Sequence, residues 1–384
     1  MGGPGVSRTR ETLASWGRRL LGGAYLPIRN RLLGSWRAAT GPLVFHARTI
    51  RLRASVRHLR GPRSFEATSE QMVVVCVVRD GEPWIPAFMS HYASLGATHF
   101  VFLDNGSTDR TLELLRSGAD NVTVFSCTLP FRSYKIVMKA WLVHTFGRGC
   151  WALLADIDEL FDYPHSERVP LGDLLRYLNA HRFSAVAAQM LDLFSERWED
   201  PLEPGESLVE RCTRYSLSGL IMGGRQDLTR KEMRGTTVAH SGIRMYWGGV
   251  RNAWFGSVIL LTKHPLLFVS RGVRVRSDHF IQNANVADFT AVLRHYKFVP
   301  GLREKVRSAI EEHNYAGDSI HYRLMDGALE RVAELALTDP WCRRWRGATA
   351  LLEEGLLVAS GEFGNEAAGS SAISKPDPRE EGGG

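Results

Sequence analysis

Lysine is scarce in this chain: seven of the 48 basic residues are Lys and the rest are Arg, a bias that a GC-rich genome also produces. No apolar run approaches the roughly 20 residues that span a bilayer, so no transmembrane helix is expected. The start lacks a compact apolar core and a cleavage site, so no secretory signal is expected either. The five cysteines (Cys76, Cys127, Cys150, Cys212, Cys342) show no C-x-x-C spacing. They read as reduced, mostly buried thiols of a cytosolic protein. The absence of G-x-x-x-x-G-K-[ST] excludes a P-loop hydrolase. No internal repeat is present.

What remains is an ordinary globular composition of 384 residues, 44% apolar and 23% charged, enough for one large domain or two small ones. The charge is uneven. Residues 1–65 hold thirteen Arg, no Lys and one acid, Glu11, which makes +12 and leaves 7 − 12 = −5 for the remainder. Here Arg alternates with Trp16, Leu20, Leu21, Tyr25, Leu32, Leu33 and Trp36. We read residues 1–69 as a basic amphipathic arm suited to peripheral contact with an anionic membrane surface, with no nucleic acid expected as partner. A domain over 70–340, a C-terminal helix over 341–360 and a disordered tail over 361–384, rich in Gly, Ala, Ser, Pro and Glu, complete the division.

Within the domain, apolar runs alternate with amphipathic segments. Strands are expected at 72–78, 99–103, 121–127, 151–158, 184–191 and 258–261, with helices between the first five. Trp84, Phe88, His91, Tyr92 and Leu95 share one helical face that ends at Gly96. A helix over 133–146 places Ile136, Val137, Ala140, Trp141 and His144 together, and reads Lys135 and Lys139 as solvated. Residues 195–250, rich in Gly, Arg and turn formers, resist assignment. The β-α-β-α-β-α-β succession predicts an α/β fold with a Rossmann-like, mostly parallel sheet flanked by helices in a single main domain. Ligands of such sheets lie outside the carboxyl ends of the strands. Three polar pairs fall there: Arg79/Asp80, Asp104/Asn105 and Asp156/Asp158.

The last pair carries the chemistry. Trp151-Ala152-Leu153-Leu154-Ala155 runs straight into Asp156-Ile157-Asp158-Glu159. Strand alternation predicts both aspartates on one face, where they repel unless a cation joins them. Mg²⁺ or Mn²⁺ held by one or two carboxylates commonly shares its shell with substrate phosphates.

Together these motifs resemble nucleotide-sugar-dependent glycosyltransferases of the GT-A fold, nearest to a family-2-like group. The likeness covers about residues 72–310. It rests on Trp84-Ile85-Pro86-Ala87-Phe88-Met89-Ser90-His91-Tyr92, on the D-N-x-S-x-D of Asp104–Asp109, and on the D-x-D-E of Asp156–Glu159. Lys263-His264-Pro265-Leu266, His279 and His295-Tyr296-Lys297 complete it.

The resemblance implies transfer of a sugar from a nucleoside-diphosphate sugar, a UDP-sugar first, to a glycan or lipid-linked acceptor, with inversion. It implies that Arg79, Asp80, Asp104 and Asn105 border the nucleoside. Asp156 would meet the ribose or the metal shell and Asp158 would ligate the metal, completed by His279 or His295. Arg225, Lys263 and Lys297 are candidates for neutralising the leaving diphosphate. A general base is needed after the strand over 184–191. Asp192, Glu196, Glu199 and Asp200 lie there, with Asp192 preferred and Glu196 next. Trp198 either stacks on an acceptor sugar or belongs to the core. The expected location is the cytoplasm, with the arm against the inner face of the cell membrane. Two other classes stay open. Another metal-dependent nucleotidyl-type transferase would carry more than the single Gly81 in its first turn. A non-catalytic binding protein would not need its aspartates intact.

Overall fold

The computed structural model describes residues 42–203, 205–311 and 319–373. Helix Pro42–Ser55 leads into Arg57–Arg60 (β1). Met72–Val78 (β2), His99–Asp104 (β3) and Val122–Ser126 (β4) follow, separated by helices Ile85–Leu95 and Thr111–Ser117. Helix Phe131–Phe146 precedes Trp151–Leu154 (β5) and Glu159–Asp162 (β6). Helix Leu171–Ala180 then leads to Ala185–Phe194 (β7). Short strands come next: Arg214–Ser216 (β8), Leu220–Met222 (β9), Thr237–Val238 (β10) and Tyr246–Gly248 (β11). Thr262–Leu267 (β12), Arg274–Val275 (β13), Ile281–Gln282 (β14), the long Asn285–His295 (β15) and Cys342–Arg344 (β16) end the series.

Twelve strands form one sheet, in the order β1-β4-β3-β2-β5-β12-β7-β15-β10, with β6 on β15 and with β8 and β16 continuing from β7. From β4 to β10 every strand runs the same way except β12. The β4-β3-β2-β5 half has the 3-2-1-4 order of a doubly wound nucleotide-binding sheet. The α/β, Rossmann-like expectation therefore holds. The cause is legible in β2, Met-Val-Val-Val-Cys-Val-Val, in which every side chain is buried. A strand covered by helices on both faces has no polar side to show. One apolar layer includes Ile85, Phe88, Tyr92 and Leu174; the opposite layer includes Leu52, Val137, Met138 and Leu142. Helix Ile85–Leu95 stops at Gly96, whose φ of +105° favours glycine.

Five boundaries differ from expectation. The expected strand over 151–158 ends at Leu154, where pairing with β2 stops, so the two aspartates lie in a turn closed by Glu159 N donating to Asp156 O at 2.9 Å. The strand expected over 258–261 is displaced to β12, and Leu260 makes a single bridge with Trp247. The expected arm is shorter than 1–69. Leu52 is fully buried, Arg48 Nη1 donates to Ser133 O at 2.9 Å, and β1 pairs with β4, so residues 42–60 belong to the domain. Residues 1–41 lie outside the described residues.

At the other end, the 341–360 helix is replaced by β16, one helical turn at Ala350–Glu353 and a stretch paired to β15 through Thr290 N to Val358 O at 2.8 Å. Gly361–Ile373 is helical and not part of a disordered tail; 374–384 lie outside the described residues. Phe363 anchors that helix, stacked on Phe289 at 4.1 Å between ring centroids, and Ser360 Oγ accepts from Phe363 N.

Candidate active site

Register brings the polar ends together. Parallel pairing sets His295 of β15 opposite Asp192 of β7, and antiparallel pairing sets it opposite Glu159 of β6. Just past β15, Tyr296 N donates to Asp158 O at 2.9 Å. The carboxyl ends of β5, β7 and β15 therefore share one polar nest, in which the aspartates of the turn diverge to different partners.

Asp156 faces ammonium groups. Lys139 Nζ donates to Asp156 Oδ1 at 2.5 Å and to Asp278 Oδ1 at 2.6 Å. Lys263 Nζ donates to Asp156 Oδ2 at 3.1 Å and to Glu159. Lys135 Nζ meets the other Asp278 oxygen at 2.5 Å. Three lysines and three carboxylates thus form one charge-balanced chain. Burial alone would raise the Asp156 carboxyl; Lys139 and Lys263 reverse that and hold it well below the usual range. Burial would likewise lower Lys139 and Lys263, and their carboxylates hold both above the ordinary lysine value. Both oxygens of Asp156 accept from lysine ammonium groups.

Asp158 faces His295 instead, with Oδ2 at 3.5 Å from Nε2. The other ring nitrogen, Nδ1, lies 2.6 Å from Asp192 Oδ1. Arg251 Nη2 lies 2.8 Å from the same Nδ1, so His295 sits between the carboxylates of Asp192 and Asp158 with a guanidinium at one ring nitrogen. Arg251 grips Asp192 with two bonds, Nε to Oδ2 at 2.8 Å and Nη2 to Oδ1 at 2.5 Å. Burial would raise the Asp192 carboxyl, but Arg251 and His295 push it far down. A carboxylate so held is a poor proton acceptor. Its geometry suits holding the His295 ring in place, an orienting role.

Lys297 completes the nest. It is 9% exposed, and its Nζ donates to Tyr322 Oη at 2.9 Å, 4.4 Å from the ring centroid. Burial, then the Arg251 charge, lower its pKa to about 8.

The other expected residues are placed differently. Asp104 is buried and accepts from the backbone N–H groups of Gly106 and Ser107, closing its own turn. Asn105 Nδ2 donates to Cys127 O at 2.7 Å and Leu129 O at 3.0 Å. Asp80, at φ +51°, accepts from Thr108 N at 2.7 Å, which ties the first two turns together, and exposed Arg79 lies 3.5 Å from it. These four shape the rim. Arg225 is exposed on the turn Arg225–Asp227. His279 Nδ1 donates to Thr262 O at 2.9 Å, and burial, then Lys263, lower its pKa to about 4. That partner gives His279 a place in the wall, while His295 faces Asp158. Glu196 pairs with Arg214 at 2.5 Å, Glu199 with Arg303, and Asp200 with Arg197. Trp198 is 2% exposed among Phe194, Trp254 and Phe298, a core residue with no face for a sugar.

Lys139, Asp278, Glu159 and Arg251 are the site residues that sequence reasoning missed. A signal existed for the lysine. Four of the seven lysines (135, 139, 263 and 297) meet here, in a chain that otherwise uses arginine.

No family model matches the chain, and no curated protein matches it. Among solved structures, the crystal structure of S. aureus TarS 1-349 is similar over 37% of this chain and 43% of that one, at 16% identity and a TM-score of 0.24. The chain thus spans less than half of that solved chain's length, and the reading of the site rests on its own geometry.

Proposed function

We propose that this chain is a glycosyltransferase that uses a nucleoside-diphosphate sugar, a UDP-sugar first, and transfers the sugar with inversion to a hydroxyl of a glycan or lipid-linked acceptor. The observation that carries the reading is the pairing of Asp158 with His295 Nε2 at 3.5 Å, beside the buried Lys297 ammonium, which donates to the Tyr322 hydroxyl. A His295 ring that gives up its Nε2 proton would offer a cation a nitrogen beside the Asp158 carboxylate. Among the described residues no group of three or more His, Cys, Asp or Glu could hold a metal. Two protein ligands still fit an ion that completes its shell with diphosphate oxygens and water, and the imidazole nitrogen favours Mn²⁺ over Mg²⁺. Asp158 and His295 would hold it, and it would neutralise charge on the departing diphosphate.

The chain's own residues do the rest. Asp192 and Arg251 fix the His295 ring. Lys297 offers a second positive contact to the diphosphate, and Lys263, anchored by Asp156 and Glu159, a third. Asp104, Asn105, Arg79 and Asp80 form the wall in which the nucleoside sits. Glu196, in an ion pair open to solvent, is the carboxylate left for the acceptor proton. Peripheral contact of the basic 1–65 segment with the inner face of the cell membrane brings lipid-linked acceptors within reach.

The test is a thermal-shift panel of nucleotides and nucleoside-diphosphate sugars, with and without Mn²⁺. A ligand that binds the folded state alone raises the melting temperature. One nucleoside diphosphate should raise it only when Mn²⁺ is present. Silence across the whole panel would overturn the proposal.

A further inference from the structure

We propose that the outer face of helix Pro42–Ser55 docks on an anionic bilayer surface. A helix seated on a soluble domain buries one stripe and shows a polar face to water. This helix is apolar on two opposite sides. Its inner side carries Leu52, fully buried, and Phe45, which pack in the layer that includes helix Phe131–Phe146. Its outer side carries Leu43, 85% exposed, and Ile50, 58% exposed, with Ala47 and Ala54 at i+4 and i+11 from Leu43. On a 3.6-residue turn, Arg51 borders that stripe on one side and His46 and Arg53 border it on the other. All three are exposed.

The surroundings are basic. Residues 42–65 contain six Arg and no acid. Arg60 meets Asp120 at 4.0 Å, and Arg48 is used to seat the helix, while Arg51, Arg53, Arg57 and Arg63 are exposed. An apolar stripe between guanidinium rows fits the boundary of an anionic membrane, where aliphatic side chains enter the acyl layer and arginines meet lipid phosphates. A nucleic acid would engage the arginines and leave Leu43 and Ile50 in water. A second copy of the chain would bring like charges face to face.

The helix is fixed to the domain, not tethered to it. It packs on helix Phe131–Phe146, and Arg48 donates to Ser133 in that helix. The same helix sends Lys135 and Lys139 into the Asp156–Asp278 chain. Docking by the outer face would therefore hold the candidate site at one orientation above the bilayer. The inference stands on this surface and not on the donor chemistry.

The experiment is co-sedimentation of the full chain with phosphatidylglycerol/phosphatidylcholine vesicles and with phosphatidylcholine vesicles alone. Binding should need the anionic lipid and weaken with added salt. The variant Leu43→Glu/Ile50→Glu should lose vesicle binding. Arg51→Glu/Arg53→Glu should lower partition about 25-fold or more, at about fivefold per arginine near the surface. Both should melt at the wild-type temperature, since these side chains are exposed. Vesicle binding that survives both double variants would overturn the proposal and point to residues 1–41. So would equal binding to duplex DNA that ignores Leu43→Glu/Ile50→Glu, or a dimer that those substitutions dissolve. None of these outcomes touches the nucleotide panel, which uses no lipid.

Discussion

Replacing Lys297 by Met should make the ligand-free protein more stable and its nucleotide binding weaker at once. The ammonium is 9% exposed and meets the hydroxyl and ring of Tyr322. Burial, then Arg251, take its pKa from 10.5 to about 8. A drop of that size corresponds to about 3 kcal/mol against the charged form. Methionine keeps the stem and removes the charge, while the lost hydrogen bond and cation–π contact take back about 1–2 kcal/mol. The net gain is about 1–2 kcal/mol at pH 7, or a Tm rise of about 1–2 °C in a chain of this length. The sign of the pH dependence follows. Between about pH 8 and 10.5 the unfolded chain keeps a proton that the folded chain has released, so wild-type stability from this group rises with pH across that window. The advantage of the variant should shrink accordingly from pH 7 to pH 10. Calorimetry at both ends of that range, paired with titration of UDP and Mn²⁺, reads both effects. Nucleotide affinity should fall about tenfold or more, because a charge-assisted contact to the diphosphate is gone. A variant that melts lower than wild type at pH 7, or that binds UDP unchanged, refutes the reasoning.

Asp158→Asn should leave the melting temperature within about 2 °C of wild type and abolish the Mn²⁺-dependent part of any nucleotide shift; a retained shift would move the cation away from His295. Lys139→Met should destabilise by about 3 kcal/mol, because it removes the ammonium shared by Asp156 and Asp278 and leaves two buried carboxylates with one lysine each. Urea melts measure that loss, and adding Asp278→Asn should return part of it. Phe363→Ala should cost about 3 kcal/mol by opening a hole over Phe289. Nucleotide shifts should persist in that variant, since Phe289 lies six residues, roughly 20 Å of strand, from His295.

Much of the fold was legible because its signals are local. The valine run of β2 and the apolar face of helix Ile85–Leu95 declare themselves within a dozen residues. The site was legible in part. Asp156 and Asp158 stood out at the end of an apolar run, but strand alternation gave them the wrong geometry. Whether a strand continues past Leu154 depends on its partner, and β2 stops pairing there. The choice between His279 and His295 was closed to sequence reasoning for a similar reason. It depends on the register of β15 against both β7 and β6, set by residues more than a hundred positions away. Lys139 misled because a helical wheel places it off the apolar face. Asp278, 139 positions along the chain, arrives to bury it. Phe363 was hidden by its glycine- and serine-rich neighbourhood, which masks a single aromatic anchor.

The distribution of the two basic side chains says something that neither motif nor fold does. Where this chain grips a carboxylate with two bonds it uses arginine, as at Arg251 on Asp192 and Arg211 on Glu206. A planar fork suits a single carboxylate approached edge-on. Lys139 has a different task. Its ammonium sits between Asp156 and Asp278, which come from different loops, and a compact charge with three tetrahedrally arranged donors can join them where a flat guanidinium has no orientation that faces both. Lys263 joins Asp156 to Glu159 in the same way. Lys297 needs the small ammonium for another reason: burial can move its charge into the neutral pH range, which a guanidinium does not permit. In a composition that favours arginine this strongly, each buried lysine marks a position whose geometry or titration arginine cannot supply, and three such positions, Lys139, Lys263 and Lys297, converge on one nest. That convergence is a physical argument for the site that owes nothing to the D-x-D pattern.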